Sequence, residues 1–75
     1  MIDRKIVGNN FVQLRNTRGL SQLDFAKHCG LSSDDIIRIE QGKKPVLPDE
    51  ILQIANALKC SPCDLLLFIS ENHNH

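Results

Sequence analysis

Cysteine and histidine side chains near the C-terminus are the groups in this sequence that could bind a metal ion. Cys60 and Cys63 form a C-x-x-C pair, and His73 and His75 follow in the last residues. Structural zinc sites take such ligands from turns that hold them close together, whereas the two histidines stand in a short polar tail that we expect to be mobile. We therefore predict no metal site, with a site at Cys60 and Cys63 as the alternative.

The same side chains do not fit nucleophilic or redox catalysis. A thioredoxin-like C-x-x-C needs a βαβ setting, and no segment of the sequence alternates convincingly with period two. His28 and Cys29 are adjacent, but neighbouring residues on a helix point about 100° apart, so the imidazole could not face the thiol. Phosphate loops, paired carboxylates and calcium loops are not found either. We predict that the chain is not an enzyme and takes no cofactor.

Length and charge restrict the remaining functions. The 75 residues, 41% of them hydrophobic, suffice for one small domain, which we place at 1–70, with a flexible polar tail at 71–75. Nine Lys and Arg balance nine Asp and Glu, so binding of a polyanion must depend on a local basic cluster. Three cysteines, no secretion signal and no long apolar run favour reduced thiols in the cytoplasm.

Apolar residues recur at steps of three and four in five segments, which predicts an all-α fold of five helices. The first helix is predicted over Asn9–Arg18, with Val7 before it on the same apolar stripe. Serine caps and terminal glycines bound the next two helices, at Ser21–Cys29 and Ser32–Gln41. Proline at the first helical position opens the last two, at Pro48 and Pro62.

The second and third segments meet the physical requirements of a helix-turn-helix unit, which we place at 22–41. Ala26 is small enough for a close helix crossing, and Gly30 can adopt the left-handed conformation that the turn requires. The small core beneath the turn would be supplied by apolar residues, namely Phe25, Cys29, Leu31, Ile36 and Ile39.

From Val7 to Leu66 the sequence resembles the Xre, Cro and phage-repressor family of helix-turn-helix DNA-binding proteins. The strings LSQLDFAKHCGLS, IIRIEQGKK and ILQIANALKCSPCDLL carry the resemblance. It implies a compact lambda-repressor-like domain. It also implies an ion pair between Arg15 and Glu40 that orients the third helix, a role that adds little stability.

The resemblance further implies which residues contact DNA. The third helix would lie in the major groove with Ser33, Asp34 and Arg38 toward base edges, and Arg38 would read guanine through a bidentate contact. The residues expected to contact phosphates are Gln22, Gln41, Gly42 through its backbone, Lys43 and Lys44.

Two residue types depart from the family pattern in this third helix. Asp34 and Asp35 stand where relatives usually carry polar or basic residues, and carboxylates are repelled by phosphates. For Asp35 we favour a role in capping the helix N-terminus. Asp34 could cap as well, or accept a hydrogen bond from cytosine N4. We expect Ile37, the second departure, to pack against a neighbouring helix, the alternative being contact with a thymine methyl group.

Five consecutive apolar residues in the last helix exceed what one buried face can hide. We therefore expect a homodimer on a palindromic operator, with Leu66, Leu67, Phe68 and Ile69 at its interface. Alternatively Leu65, Leu66 and Ile69 belong to the monomer core. The predicted function is transcriptional regulation through double-stranded DNA, without a small-molecule ligand, as a repressor, a restriction-modification controller or an antitoxin. The alternative is a protein-interaction module whose acidic third helix docks a partner protein.

Overall fold

The structure, a computed structural model, describes residues 3–71, and these form five helices without a strand. The predicted all-α architecture is confirmed. The helices, numbered in chain order, are α1 (Arg4–Thr17), α2 (Gln22–Cys29), α3 (Ser33–Glu40), α4 (Pro48–Leu58) and α5 (Pro62–Ser70). The predicted tail lies outside the described residues except for Glu71.

Three serine caps fix where α2, α3 and α5 begin. The hydroxyl oxygens of Ser21, Ser32 and Ser61 each accept a hydrogen bond from a backbone amide three residues later, at 3.1 Å. These bonds satisfy amides that have no partner within the helix. The residue that donates each amide is an aspartate, whose charge suits the positive end of the helix dipole.

The predicted start of α1 at Asn9 is wrong, because the helix begins at Arg4. Asp3 caps it, and its Oδ1 accepts a hydrogen bond from the Lys5 amide at 2.8 Å. Glycine and two asparagines at positions 8–10 have low helix propensity. Packing of this segment on α3 overrides that preference.

Gly8 allows α1 to cross the end of α3 at very short distance. A Cβ atom at this position would lie 2.6 Å from the backbone oxygens of both Ile39 and Glu40, closer than real carbon atoms approach. Any side chain at position 8 would therefore push the two helices apart.

The core lies where the five helices meet, and Phe11 and Phe25 make an edge-to-face contact in it with ring centroids 6.3 Å apart. Burial also raises the pKa of the Cys29 thiol from 9.0 to about 11, with a small opposing effect of the Arg18 charge. The buried apolar residues are Val7, Phe11, Leu14, Phe25, Ala26, Cys29, Ile36, Ile39, Ile51, Ile54, Ala55, Leu65 and Ile69.

Asn10, one of the few buried polar residues among those described, ties α1 to the end of α5. Its Nδ2 donates to the backbone oxygens of Phe68, Ile69 and Glu71 at 3.1, 2.8 and 2.6 Å. Carbonyl groups in the last turn of a helix have no partner within that helix. The Asn10 amide satisfies such groups and fixes the end of α5.

Within residues 3–71 no single helix is long and apolar enough to cross a membrane. Helices α4 and α5 reach such a length only as a pair, which is bent by 107° at their junction.

Candidate nucleic-acid interface

Helices α2 and α3 are joined by the tight turn that the sequence predicts. Gly30 has a φ of +75°, and the amide of Leu31 donates back to the Ala26 oxygen at 2.9 Å. Ala26 is buried against the neighbouring helices. This turn sets the angle at which α3 leaves α2, and so determines which face of α3 reaches the solvent.

A hydrogen-bonded network connects α1, α2 and α3 through the carboxylate of Glu40. Arg15 Nε lies 2.8 Å from Glu40 Oε2, and its Nη1 donates to the Leu20 oxygen at 3.0 Å. The ion pair that the family resemblance implied is present. Gln22 Nε2 donates to Glu40 Oε1 at 2.9 Å. The predicted phosphate ligand Gln22 is therefore held beside the last turn of α3 by an intramolecular bond.

The solvent-facing side of α3 carries Asp34 and Arg38, both exposed. They are four residues apart and so lie on the same face, one turn from each other. Ser33 is half-buried at the first helical position. The three residues predicted to face base edges thus occupy one end and one side of α3.

Asp35 lies in the first turn of α3, where its charge suits the helix dipole, and Ile37 lies at a half-buried position of the same helix. The Asp35 amide donates to Ser32, but among residues 3–71 no hydrogen bond of the Asp35 carboxylate closes a reciprocal capping box. Ile37 is half-buried, which fits packing against the body of the domain.

The Gly42 backbone, predicted to contact phosphate, is engaged within the protein. Gly42 has a φ of +73°, and its amide donates to the Ile39 oxygen at 3.1 Å. The Lys43 amide donates to the Arg38 oxygen at 2.9 Å, which completes a Schellman motif at the end of α3. The Gly42 amide is therefore used within the protein, and contact of the Gly42 backbone with phosphate stays a prediction.

The two lysines after α3 have different surroundings. Lys44 Nζ lies 2.6 Å from Oε1 of Glu50, a buried carboxylate that also accepts the Leu47 amide at 2.9 Å. The Lys44 charge therefore stabilises the start of α4, and its contact with phosphate stays a prediction. Lys43 and Gln41 are exposed, and the Lys43 ammonium makes no ion pair within the part of the chain that the structure describes.

Helix α5 divides the four predicted interface residues. Leu66 and Leu67 are 39% and 58% exposed. Phe68 is half-buried against the core, and Ile69 is 2% exposed within it. Ile69 was wrongly assigned to the interface, because its position on α5 faces α1. Leu66 also lines an open groove between α4 and α5, together with Val46, Pro48, Ile51, Leu52 and Pro62.

The cysteine and histidine residues are dispersed in the described structure. Cys29 is buried, Cys60 is half-buried and Cys63 is exposed, and all three are free thiols. His28 is exposed, and its Nε2 lies 3.0 Å from the Ala57 oxygen, which links α2 to α4. No group of three or more His, Cys, Asp or Glu among residues 3–71 could hold a metal ion, and the two C-terminal histidines lie outside those residues.

Sequence reasoning missed four residues that hold or flank this surface: Lys5, Gly8, Asn10 and Glu50. A glycine on the inner side of an amphipathic helix could have signalled the close crossing at position 8. Glu50 at the third position of α4 is a typical place for a carboxylate that reaches back to the cap amide. The other two residues depend on tertiary contacts.

Comparison with known proteins decides the family. Residues 7–68 match the helix-turn-helix domain family. The chain belongs to this family. An HTH-type transcriptional regulator of Sinorhizobium fredii, y4dJ, is 32% identical over 63 residues, which are 84% of this chain and 82% of that protein.

Solved structures of helix-turn-helix regulators share the fold. The restriction-modification controller protein C.AhdI from Aeromonas hydrophila is 33% identical, with a TM-score of 0.75 over 84% of this chain and 91% of that one. An HTH_3 family transcriptional regulator from Vibrio cholerae is 26% identical, with a TM-score of 0.75, over 87% of this chain and 36% of that one. The clp gene regulator ClgR from Corynebacterium glutamicum is 20% identical, with a TM-score of 0.76 over 99% of this chain and 96% of that one. At this identity the likeness concerns the fold alone.

These findings confirm the predicted resemblance, the lambda-repressor-like fold and the absence of an enzymatic role. The chain is a helix-turn-helix protein of the transcriptional-regulator class, which acts by binding DNA and not by catalysis.

Proposed function

We propose that this protein binds a specific duplex DNA operator and represses or controls transcription, as a cytoplasmic homodimer. The observation that carries the proposal is the exposed face of α3, which presents Asp34 and Arg38 while Glu40 anchors the other side of the helix to α1 and α2. A reading helix held at a fixed angle is what insertion into the major groove requires.

In this proposal three residues of α3 read bases. Arg38 donates to guanine O6 and N7, Asp34 accepts from cytosine N4, and Ser33 contacts the edge of a neighbouring base. Asp34 stays close to a base amino group, Asp35 remains at the helix N-terminus, and the phosphates meet the opposite end of the helix.

Phosphate contacts come from residues that surround the ends of α2 and α3. Gln22 keeps one amide hydrogen free after its bond to Glu40. Gln41 and Lys43 extend the contact beyond the last turn of α3, where both side chains are exposed. Such contacts fix the register of the protein on DNA without reading sequence.

The dimer forms through the exposed part of α5 and the adjacent groove. Leu66 and Leu67 provide apolar surface that the monomer leaves in solvent, and Phe68 borders it. Recognition helices of a two-fold dimer must lie about 34 Å apart to meet successive turns of DNA. A protomer with a longest extent of 28 Å is of a suitable size for this spacing.

The likeness to a restriction-modification controller favours the controller role over the repressor and antitoxin roles that this size also allows. In each of them the same step, occupancy of an operator, alters access of the polymerase.

In-vitro selection from random duplexes tests the proposal. We expect enrichment of two inverted half-sites, and affinity for the selected site that falls steeply with salt because bound counterions are released from phosphates. The double variant Arg38→Ala/Lys43→Ala should enrich sites more weakly, and those sites should lack the base pair that Arg38 reads. If the wild type enriches no site, DNA reading is refuted and a protein partner for the acidic end of α3 becomes the favoured function.

A further inference from the structure

The first turn of α1 lies close to Gly42, two residues beyond the end of α3. A methyl group added at Gly42 would lie 3.4 Å from Cγ of Lys5 and 3.6 Å from the carbonyl carbon of Arg4, which is ordinary van der Waals distance. Gly42 is followed at once by Lys43. Segments far apart in the sequence thus bring two lysines close to one glycine.

The ammonium groups of both lysines lack an ion-pair partner among the described residues. Lys5 and Lys43 are exposed, and neither makes an ion pair with any residue from 3 to 71. Glu40 is already bound to Arg15 and Gln22, and Asp3 accepts the Lys5 amide as the cap of α1. Two exposed lysines without an ion pair, on backbone segments that lie close together, favour a ligand with negative charge.

The backbone that carries the two lysines is rigid. Gly8 brings α1 within van der Waals contact of the last turn of α3, and the Schellman motif fixes the backbone up to Lys43. Lys5 therefore keeps a constant position relative to the recognition helix. Ammonium groups on such a support lose less freedom when they bind than groups on a mobile arm.

We propose that Lys5 and Lys43 form a two-lysine clamp on the DNA phosphate backbone, with α1 as a second element that contacts DNA. The clamp rests on the proposed DNA-binding function. It means that α1 contributes directly to the affinity of the protein for DNA. It holds the phosphates that flank the end of α3, opposite to the acidic first turn, and reads no sequence.

Salt dependence of binding to a selected duplex tests the clamp. Lys5→Gln keeps the Cγ atom that contacts Gly42 and removes the charge. We expect it to lower the slope of log affinity against log salt by about 0.9 per bound protomer, and to weaken specific and nonspecific duplexes alike. Lys43→Gln should do the same, and the double variant should lose about twice as much.

Matched variants separate charge from structure. Lys5→Arg should restore the wild-type slope, because it restores the charge. Lys59→Gln removes an exposed charge at the end of α4 and should leave the slope unchanged. Thermal unfolding of each variant verifies that the fold persists.

Two results would overturn the clamp, and they differ in what else they refute. If the wild type binds with a steep salt slope and Lys5→Gln keeps that slope, the clamp is wrong and the DNA-binding function stands. If the wild type binds no duplex at any salt concentration, the clamp and the proposed function fall together.

Discussion

Arg38 is the residue on which sequence discrimination is expected to depend. It is exposed in the last turn of α3 and has no ion-pair partner within the described residues. Contacts that do not involve the Arg38 side chain hold α3 in place. Removal of the guanidinium therefore leaves the rest of the surface intact.

Arg38→Ala is predicted to relax the preference for one base pair by about 1–3 kcal/mol, the discrimination that a bidentate guanine contact provides. Competition binding against operators mutated at single positions measures this loss. Lys43→Ala is the control, because a phosphate contact weakens all sequences equally. Unchanged selectivity of Arg38→Ala would show that another residue reads the bases.

Cys29 connects burial with the pH dependence of stability. Its pKa is raised from 9.0 to about 11 by desolvation in the core, so the folded protein retains the thiol proton more strongly than the unfolded chain. The stability from this residue is therefore fully present below pH 9 and is lost as the pH rises from 9 to 11.

The free energy of unfolding is predicted to fall with pH across this range, with a smaller slope in Cys29→Ala. Urea denaturation at several pH values measures both slopes. Cys63→Ala removes an exposed thiol and should keep the wild-type slope. Equal slopes in Cys29→Ala and the wild type would contradict the assignment.

At the scale of elements, the contact between α1 and α3 is the one that sets the orientation of the reading helix. An eight-residue helix is too short to be stable alone in water. The helix depends on Gly8 beneath its last turn and on Arg15 beside Glu40. A change at this contact affects α3 without any substitution within α3.

Gly8→Ala is predicted to destabilise the fold by about 1–3 kcal/mol, the usual cost of an added group in a packed core, less a smaller gain in helix propensity. The new Cβ would meet two backbone oxygens at 2.6 Å, and backbone cannot move aside as a flexible side chain can. Thermal or urea unfolding measures the change. The control is Asn9→Ala, at an exposed position of the same helix, which should be neutral or stabilising. A neutral Gly8→Ala would contradict the close approach of α1 to α3.

Sequence alone was sufficient for the elements whose signals are local. Serine caps and terminal glycines located α2 and α3, and their positions in the structure agree within two residues. The start of α1 was predicted too late, because the segment with low helix propensity at positions 8–10 is helical through its packing on α3. The partner of Lys44, Glu50, is only six residues away and was missed although its position is typical of a capping carboxylate. The Schellman motif that uses the Gly42 amide was not predicted, because only the folded turn brings its donors and acceptors together.

At the scale of the whole molecule, exposed leucines on α5 predict self-association. An isologous interface contains each residue twice, so a single charged substitution there acts twice. Asn10 fixes the end of α5 through three backbone oxygens and so holds these leucines in place on the surface.

Leu67→Glu is predicted to convert a dimer to a monomer in sedimentation experiments at micromolar concentration. Each leucine that loses its burial costs about 1.5–3 kcal/mol, and two charges would face each other. Leu23→Glu is the matched control, since Leu23 is similarly exposed, at 52%, but belongs to α2. A wild type that sediments as a monomer would refute the dimer interface.

The acidic first turn and basic end of α3 also determine how the protein approaches DNA. A chain of zero net charge is not drawn toward a polyanion as a whole. Separated charges instead give it a dipole: the field of the duplex attracts Lys5 and Lys43 and repels Asp34, which must still reach a base edge in the proposed complex. Low salt should therefore strengthen the attraction of the lysine end and the repulsion of Asp34 together, without raising the number of collisions.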